Sequence, residues 1–102
     1  MAEFGRYVMF SPKSVSGAYT MSKDDNCILH TAGGSNAAVT LPKASTVRGK
    51  VVYIQKVDSG AGYTVVTAAS GDTIEGASTV NITAQYGKKL LISNGSSWST
   101  IV

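Results

Sequence analysis

Apolar positions along this chain fall in runs of about four to eight residues, which is strand length, not helix length. Turn chemistry separates them, at Ser11-Pro12-Lys13, Lys23-Asp24-Asp25-Asn26, Gly33-Gly34-Ser35-Asn36, Asp58-Ser59-Gly60-Ala61-Gly62, Ser70-Gly71-Asp72 and Asn94-Gly95. Several runs alternate. Val15, Gly17, Tyr19 and Met21 share one face, and Ser16, Ala18, Thr20 and Ser22 the other. Val80, Ile82 and Ala84 alternate with Thr79, Asn81 and Thr83. Period-two patterning of this kind predicts half-buried strands. The last two strands are expected at Lys88–Ser93 and Trp98–Val102, joined by a link that Asn94-Gly95 opens. The pattern predicts an all-β, compact antiparallel β-sandwich, and it shows no internal repeat.

Two runs break the alternation. Val51, Val52, Tyr53 and Ile54 are apolar on both faces, as are Leu90, Leu91 and Ile92. An antiparallel strand in a solitary sandwich usually keeps one face wet, so something is expected to cover the second face. A loop of the same chain would serve, and so would another copy. Val51, Tyr53 and Leu91 are the candidate subunit-interface residues. The N-terminus carries a second apolar group, Phe4, Tyr7, Val8, Met9 and Phe10, ahead of Pro12. It reads as a first strand or as an arm that docks on a neighbour. The expected organisation is an N-terminal segment, 1–22, followed by a β-sandwich knob, 23–102.

Composition narrows the field. The chain has 102 residues, enough for one domain with a thin core. Charged residues make up 15%, below the usual ~25%, so Ser, Thr, Gly and Ala supply much of the surface. The net charge is +3, but the basic residues are scattered, with Lys88-Lys89 the one adjacent pair. A nucleic-acid partner is not expected from that distribution. No stretch approaches the ~20 apolar residues of a membrane helix, and the N-terminus lacks the apolar run of a signal peptide. Synthesis in the cytoplasm followed by assembly is expected.

No catalytic or metal constellation is complete, and neither enzyme activity nor a cofactor is expected. His30 and Cys27 form Cys-Ile-Leu-His, but a zinc site needs about four ligands, and positions three apart on a strand face opposite sides. Asp72 and Glu75 have the same spacing and read as a solvated turn, not as the paired carboxylates of a glycosidase. Asp24-Asp25-Asn26 lacks the alternating ligands and terminal Glu of a calcium loop. The glycine groups precede no helix, which a phosphate-binding loop requires. Trp98 reads first as a core anchor. Exposed, it would instead offer a face for a sugar ring together with Tyr63, with Tyr53 and Tyr86 widening the platform.

One family likeness brings these pieces together. It is carried by Val-Thr-Leu-Pro (39–42), Gly-Lys-Val-Val-Tyr-Ile-Gln-Lys-Val-Asp (49–58), Tyr-Thr-Val-Val-Thr (63–67), Gly-Asp-Thr-Ile-Glu-Gly (71–76), Val-Asn-Ile-Thr-Ala-Gln-Tyr (80–86) and Leu-Leu-Ile-Ser-Asn-Gly-Ser-Ser-Trp (90–98). In this order, from Val39 to Val102, the chain resembles a β-rich module of tailed-bacteriophage tail fibres, head fibres and capsid-decorating proteins. The resemblance implies a jelly-roll-like sandwich assembled as a homotrimer. It implies a virion structural protein on the capsid exterior, partnered by itself and by the major capsid protein. Phe4, Tyr7, Met9 and Phe10 are then the candidate capsid contacts. A short N-terminal segment with one knob and no fibrous stalk suits head decoration. The alternative is a tail-tip module that binds a receptor or host-surface glycan through Trp98 and Tyr63, and a third reading is a carbohydrate-binding module outside phages.

Overall fold

The computed structural model describes residues 10–101. Among them lie nine strands: β1 (Pro12–Ser16), β2 (Tyr19–Thr20), β3 (Cys27–Thr31), β4 (Ala37–Thr40), β5 (Val51–Lys56), β6 (Thr64–Thr67), β7 (Thr79–Ile82), β8 (Lys88–Ser93) and β9 (Trp98–Thr100). A single 3-10 turn, Ala44–Thr46, sits between β4 and β5. The strands form two sheets: sheet A in the order β1-β3-β5-β8-β9 and sheet B in the order β2-β4-β6-β7. No helix is long and apolar enough to cross a membrane among the described residues.

The fold is all-β, as the spacing of apolar runs predicts, but its pairing is mixed. β1/β3, β3/β5, β2/β4 and β4/β6 are parallel, whereas β5/β8, β6/β7 and β8/β9 are antiparallel. The expectation of an antiparallel sandwich is corrected here. Parallel neighbours need a crossover between them. Here the strand in the opposite sheet is the crossover, so short loops suffice and the chain coils from sheet to sheet. Alternation along one strand cannot report the direction of its neighbour. β7 and β8 then turn back on β6 and β5, and β9 completes sheet A on β8. The expected hairpin around Asn94-Gly95 is present, with Ser93 opposite Trp98.

Coiling also stacks successive passes in register, although the sequence shows no repeat. Val15, His30 and Lys56 stack in register on successive passes through sheet A. Thr20, Thr40 and Thr67 do so in sheet B. The backbone N–H of Met21 and that of Leu41 donate across the same rungs, to Thr40 O and Thr67 O. The stacking escapes sequence inspection because the stacked residues differ in type and the linking loops differ in length.

Sheet A turns Ile28, Val52, Ile54, Leu91 and Trp98 inward, and sheet B turns Val39, Val66 and Ile82 to meet them; all are almost wholly buried. Trp98 Nε1–H donates to Pro42 O at 3.2 Å, which anchors the last strand to the loop after β4. Among the described residues four polar side chains are also buried: His30, Lys56, Thr64 and Ser93. The Gly17 carbonyl can only accept, so His30 Nε2 donates to it at 2.8 Å. In the neutral ring Nδ1 then accepts from the Thr64 hydroxyl at 2.7 Å. Lys56 Nζ donates to Asp58 O, Asp58 Oδ1 and Gly60 O. Asp58 in turn accepts the N–H groups of Ala32, Gly33 and Gly60. This cluster ties the β3–β4 loop to the β5–β6 loop. The contact is close: a Cβ on Gly62 would collide with the Ser35 carbonyl.

Candidate docking face

Because inner and outer residues alternate, burying Val52, Ile54 and Leu91 fixes what the outside of sheet A presents. One row across the sheet reads Pro12, Cys27, Tyr53, Leu90. A second row reads Val51, Ile92, Ser99, and a third Ser14, Leu29, Gln55, Lys88. Leu29, Val51, Tyr53, Leu90 and Ile92 are half-buried, and Ile101 at the end of the sheet is 52% exposed. Phe10 stacks on Tyr53, with ring centroids 6.3 Å apart and planes inclined by 14°. The centre of the face is therefore apolar and aromatic. Its polar side chains are at the margin, in Ser14, Gln55, Lys88 and Ser99. Burial pushes the Cys27 thiol up from its ordinary value, so at neutral pH it serves as a small apolar side chain.

At the open end of the two sheets the chemistry reverses. Lys13 on the edge strand β1 reaches across to β2, donating to the Tyr19 hydroxyl at 2.8 Å, and that hydroxyl donates to Asp25 Oδ2 at 2.6 Å. Burial works against the Asp25 carboxylate, but Tyr19, the Ser22 N–H and Lys13 outweigh it and hold the carboxyl below its ordinary range. A charged side chain and a proline on an edge strand discourage further strand pairing. Docking through the β1 edge is thus disfavoured, and the apolar area lies on the flat of sheet A.

Two sets of sequence candidates meet on this face. Phe10, expected as a capsid contact, lies against Tyr53, expected at a subunit interface, with Val51 beside them. Phe4, Tyr7 and Met9 lie outside the described residues. Leu91 is a correction: it is fully buried in the core of the single chain and is not a surface contact. Its neighbours Leu90 and Ile92 take that place, since they share the outer parity of Tyr53 and Val51. Local alternation in Leu-Leu-Ile does not choose between these parities; the pairing of Val51 with Ile92 does.

The candidate glycan pair does not assemble. Trp98 is fully buried, facing inward from sheet A, so it cannot stack on a sugar; its reading as a core anchor holds. Tyr63 is 37% exposed and precedes β6 in sheet B. Cys27 and His30 face opposite sides of β3, outward and inward, as their spacing predicts. Asp72 accepts the Ala44 N–H and pairs with Lys43, while Glu75 accepts from Thr100; the two carboxylates serve separate turns. Among the described residues no group of His, Cys, Asp and Glu side chains could hold a metal ion. Sequence reasoning missed the Lys56–Asp58 pair, whose residues are two apart but whose further partners Ala32 and Gly33 come from another loop, and the bridging role of His30, whose partners Gly17 and Thr64 only the coil brings close.

Compared with known proteins, the chain matches no family model, no curated protein and no solved structure.

Proposed function

We propose that this chain is a virion structural protein, a homotrimeric capsid-decoration or head-fibre protein that binds the outer surface of a phage capsid. The observation that carries the reading is the outer face of sheet A. It offers Leu29, Val51, Tyr53, Leu90 and Ile92 in adjoining rows, and Phe10 stacks on Tyr53 at its centre. Contiguous apolar surface of this kind marks a protein-interaction site. The resemblance to phage head and tail modules supplies the kind of partner. The tail-tip alternative loses its proposed platform with the burial of Trp98.

The test has two arms. Cryo-electron microscopy of the particle should find the protein on the head, with sheet A against the shell or against its own copies; density confined to the tail would overturn the head assignment. Deleting residues 2–9, which precede β1, should abolish binding to undecorated capsids while the far-ultraviolet spectrum keeps its β signature. Undiminished binding would remove the segment from the contact. Sedimentation of the free chain as a monomer at micromolar concentration would remove the homotrimer.

A further inference from the structure

We propose that the free edge of β7 pairs with the same edge of a second copy of this chain, antiparallel and about a two-fold axis at Val80. The contact uses neither the outer face of sheet A nor a capsid, so it goes beyond the role above and stands whether the protein sits on head or tail.

Two open sheets leave four edges, at β1 and β9 in sheet A and at β2 and β7 in sheet B. A bare edge is a template for another chain, and folded proteins blunt their edges against it. Three of the four are blunted here, each by a different device. β1 opens on Pro12, which has no N–H to offer, and carries Lys13. β2 is only two residues long, Tyr19–Thr20. β9 is plugged by residues 73–75: Trp98 N–H donates to Thr73 O at 2.9 Å, Glu75 N–H donates to Trp98 O at 3.0 Å, and the Glu75 carboxylate accepts the Thr100 N–H at 3.0 Å. β7 has none of these devices. It runs Thr79–Ile82 without proline or charge and pairs residue for residue with β6, so no bulge turns it away. Thr79 and Asn81 are exposed, and among the described residues no hydrogen bond reaches that edge.

The phase of the β6–β7 ladder fixes what the edge presents. Ala68 N–H donates to Ser78 O, and Thr67 O accepts from Leu41 N–H on the β4 side. Thr67 and Thr79 are therefore a non-hydrogen-bonded pair, and by alternation so are Val65 and Asn81. The backbone N–H and C=O groups of Thr79 and Asn81 then point away from β6. Lying two residues apart, they complement themselves. In an antiparallel pair centred on Val80, Thr79 exchanges both bonds with Asn81 of the second copy, and Asn81 does so with Thr79 of that copy. Val80 faces its own counterpart. It is half-buried against the core, and a close β-branched pair across the axis covers more of it. Elimination names the occupant: a second copy has the same three blunted edges, so β7 is the edge it can offer. The contact is isologous and closes on a pair, which joins lone copies or whole trimers without using their three-fold contact. Four residues make a short ladder, so the pair forms at high concentration or where copies are crowded on one surface.

The test uses the full chain in solution, as the parent and with Tyr53→Lys, which charges the centre of face A. Failure here and failure of the capsid reading are thereby told apart. Amide exchange is followed by nuclear magnetic resonance at micromolar and at millimolar concentration. The Thr79 and Asn81 N–H groups should exchange about tenfold more slowly at the higher concentration in both chains, while exposed amides elsewhere in Y53K keep their rates. Asn81→Pro removes an outward donor and leaves the bonds to β6 in place, as does Thr79→Pro at the first residue of the strand. Added to Y53K, either should give a monomer at millimolar concentration, where Y53K alone approaches a dimer. Val80→Cys should cross-link into a dimer under oxidised glutathione, since the Cα atoms of a non-hydrogen-bonded pair lie within disulfide range. Thr40→Cys, inside sheet B, should not. Should either proline variant unfold, exchange and cross-linking decide alone. Exchange at Thr79 and Asn81 that ignores concentration, a dimer that survives both folded proline variants, or V80C linking no faster than T40C would each overturn the contact.

Discussion

Across the outside of sheet A one row runs Cys27, Tyr53, Leu90; across the outside of sheet B an in-register row runs Thr20, Thr40, Thr67, Thr79. The next row on sheet B is Ala38, Val65, Asn81. Both sheets enclose the same core, and both mix parallel with antiparallel ladders. Strand propensity does not separate them, for threonine and tyrosine both favour strands. What differs is the medium each outer face suits. Threonine offers a β-branched body for the pleat and a hydroxyl for water. Tyr53, Leu90, Ile92 and Val51 offer no hydroxyl except the tyrosine's, and Phe10 already lies over part of them. The outer face of sheet B suits solvent, and the outer face of sheet A is the one proposed above for contact with protein.

The largest effect expected lies between the faces. Trp98→Ala removes the largest fully buried side chain, which packs under sheet A and bonds to Pro42 beyond β4. A loss of about 3–5 kcal/mol in urea unfolding is expected. If the variant unfolded at the parent's midpoint, the shared core that makes the two outer faces comparable would not exist.

Acid comes next, through the loops that hold the coil together. Lys56 beside Asp58, with the N–H groups of Ala32, Gly33 and Gly60, outweighs the effect of burial and holds the Asp58 carboxyl far below its ordinary 3.8. The Ala44 N–H and then Lys43 do the same, less strongly, for Asp72. A carboxyl lowered on folding stabilises the native state fully above its unfolded value and ceases to do so as pH falls through the folded one. Stability should therefore hold from neutral pH down to the ordinary carboxylate range and drain below it. Asp58→Asn should be less stable at neutral pH and flatter in the acid limb, by circular dichroism across pH. An acid limb unchanged in D58N would mean that this loop clamp does not govern it.

Face A should then be separable from face B by association. Tyr53→Lys puts a charge in the centre of the apolar row, and about a tenfold loss of capsid binding or self-association is expected from titration calorimetry or sedimentation. Thr40→Lys, the matching position on face B, should change neither. Equal losses from both would mean that the contrast between faces has no bearing on partners.

These expectations also mark how far the sequence could be read. Short strands, the Lys88–Ser93 and Trp98 pair and the outward Thr79 and Asn81 follow from local alternation, which is a property of one strand and its neighbours in sequence. Parallel pairing, the stacking of Val15 on His30 on Lys56, and the meeting of Phe10 with Tyr53 depend on which strand lies beside which. Turn residues constrain where the chain bends, not which sheet it enters next. The choice of Leu91 over Leu90 failed for a related reason: in Leu-Leu-Ile a one-residue change of parity exchanges inside for outside.

The smallest change asks whether a face can be converted without touching the core. Thr67 is half-exposed in the middle of the threonine row and donates its hydroxyl to Val65 O at 3.0 Å. Thr67→Val keeps the β-branched shape, loses one local, partly buried hydrogen bond, and should shift stability within about 0.5 kcal/mol. It gives sheet B one apolar position beside Val65 yet no aromatic centre and no Phe10 above it, so self-association should not rise. The reciprocal change, Leu90→Thr, places a hydroxyl beside Tyr53 and should weaken association while the fold persists. A gain of association from T67V would mean that any added apolar side chain makes either sheet adhesive, and that the Phe10–Tyr53 stack is not what distinguishes sheet A.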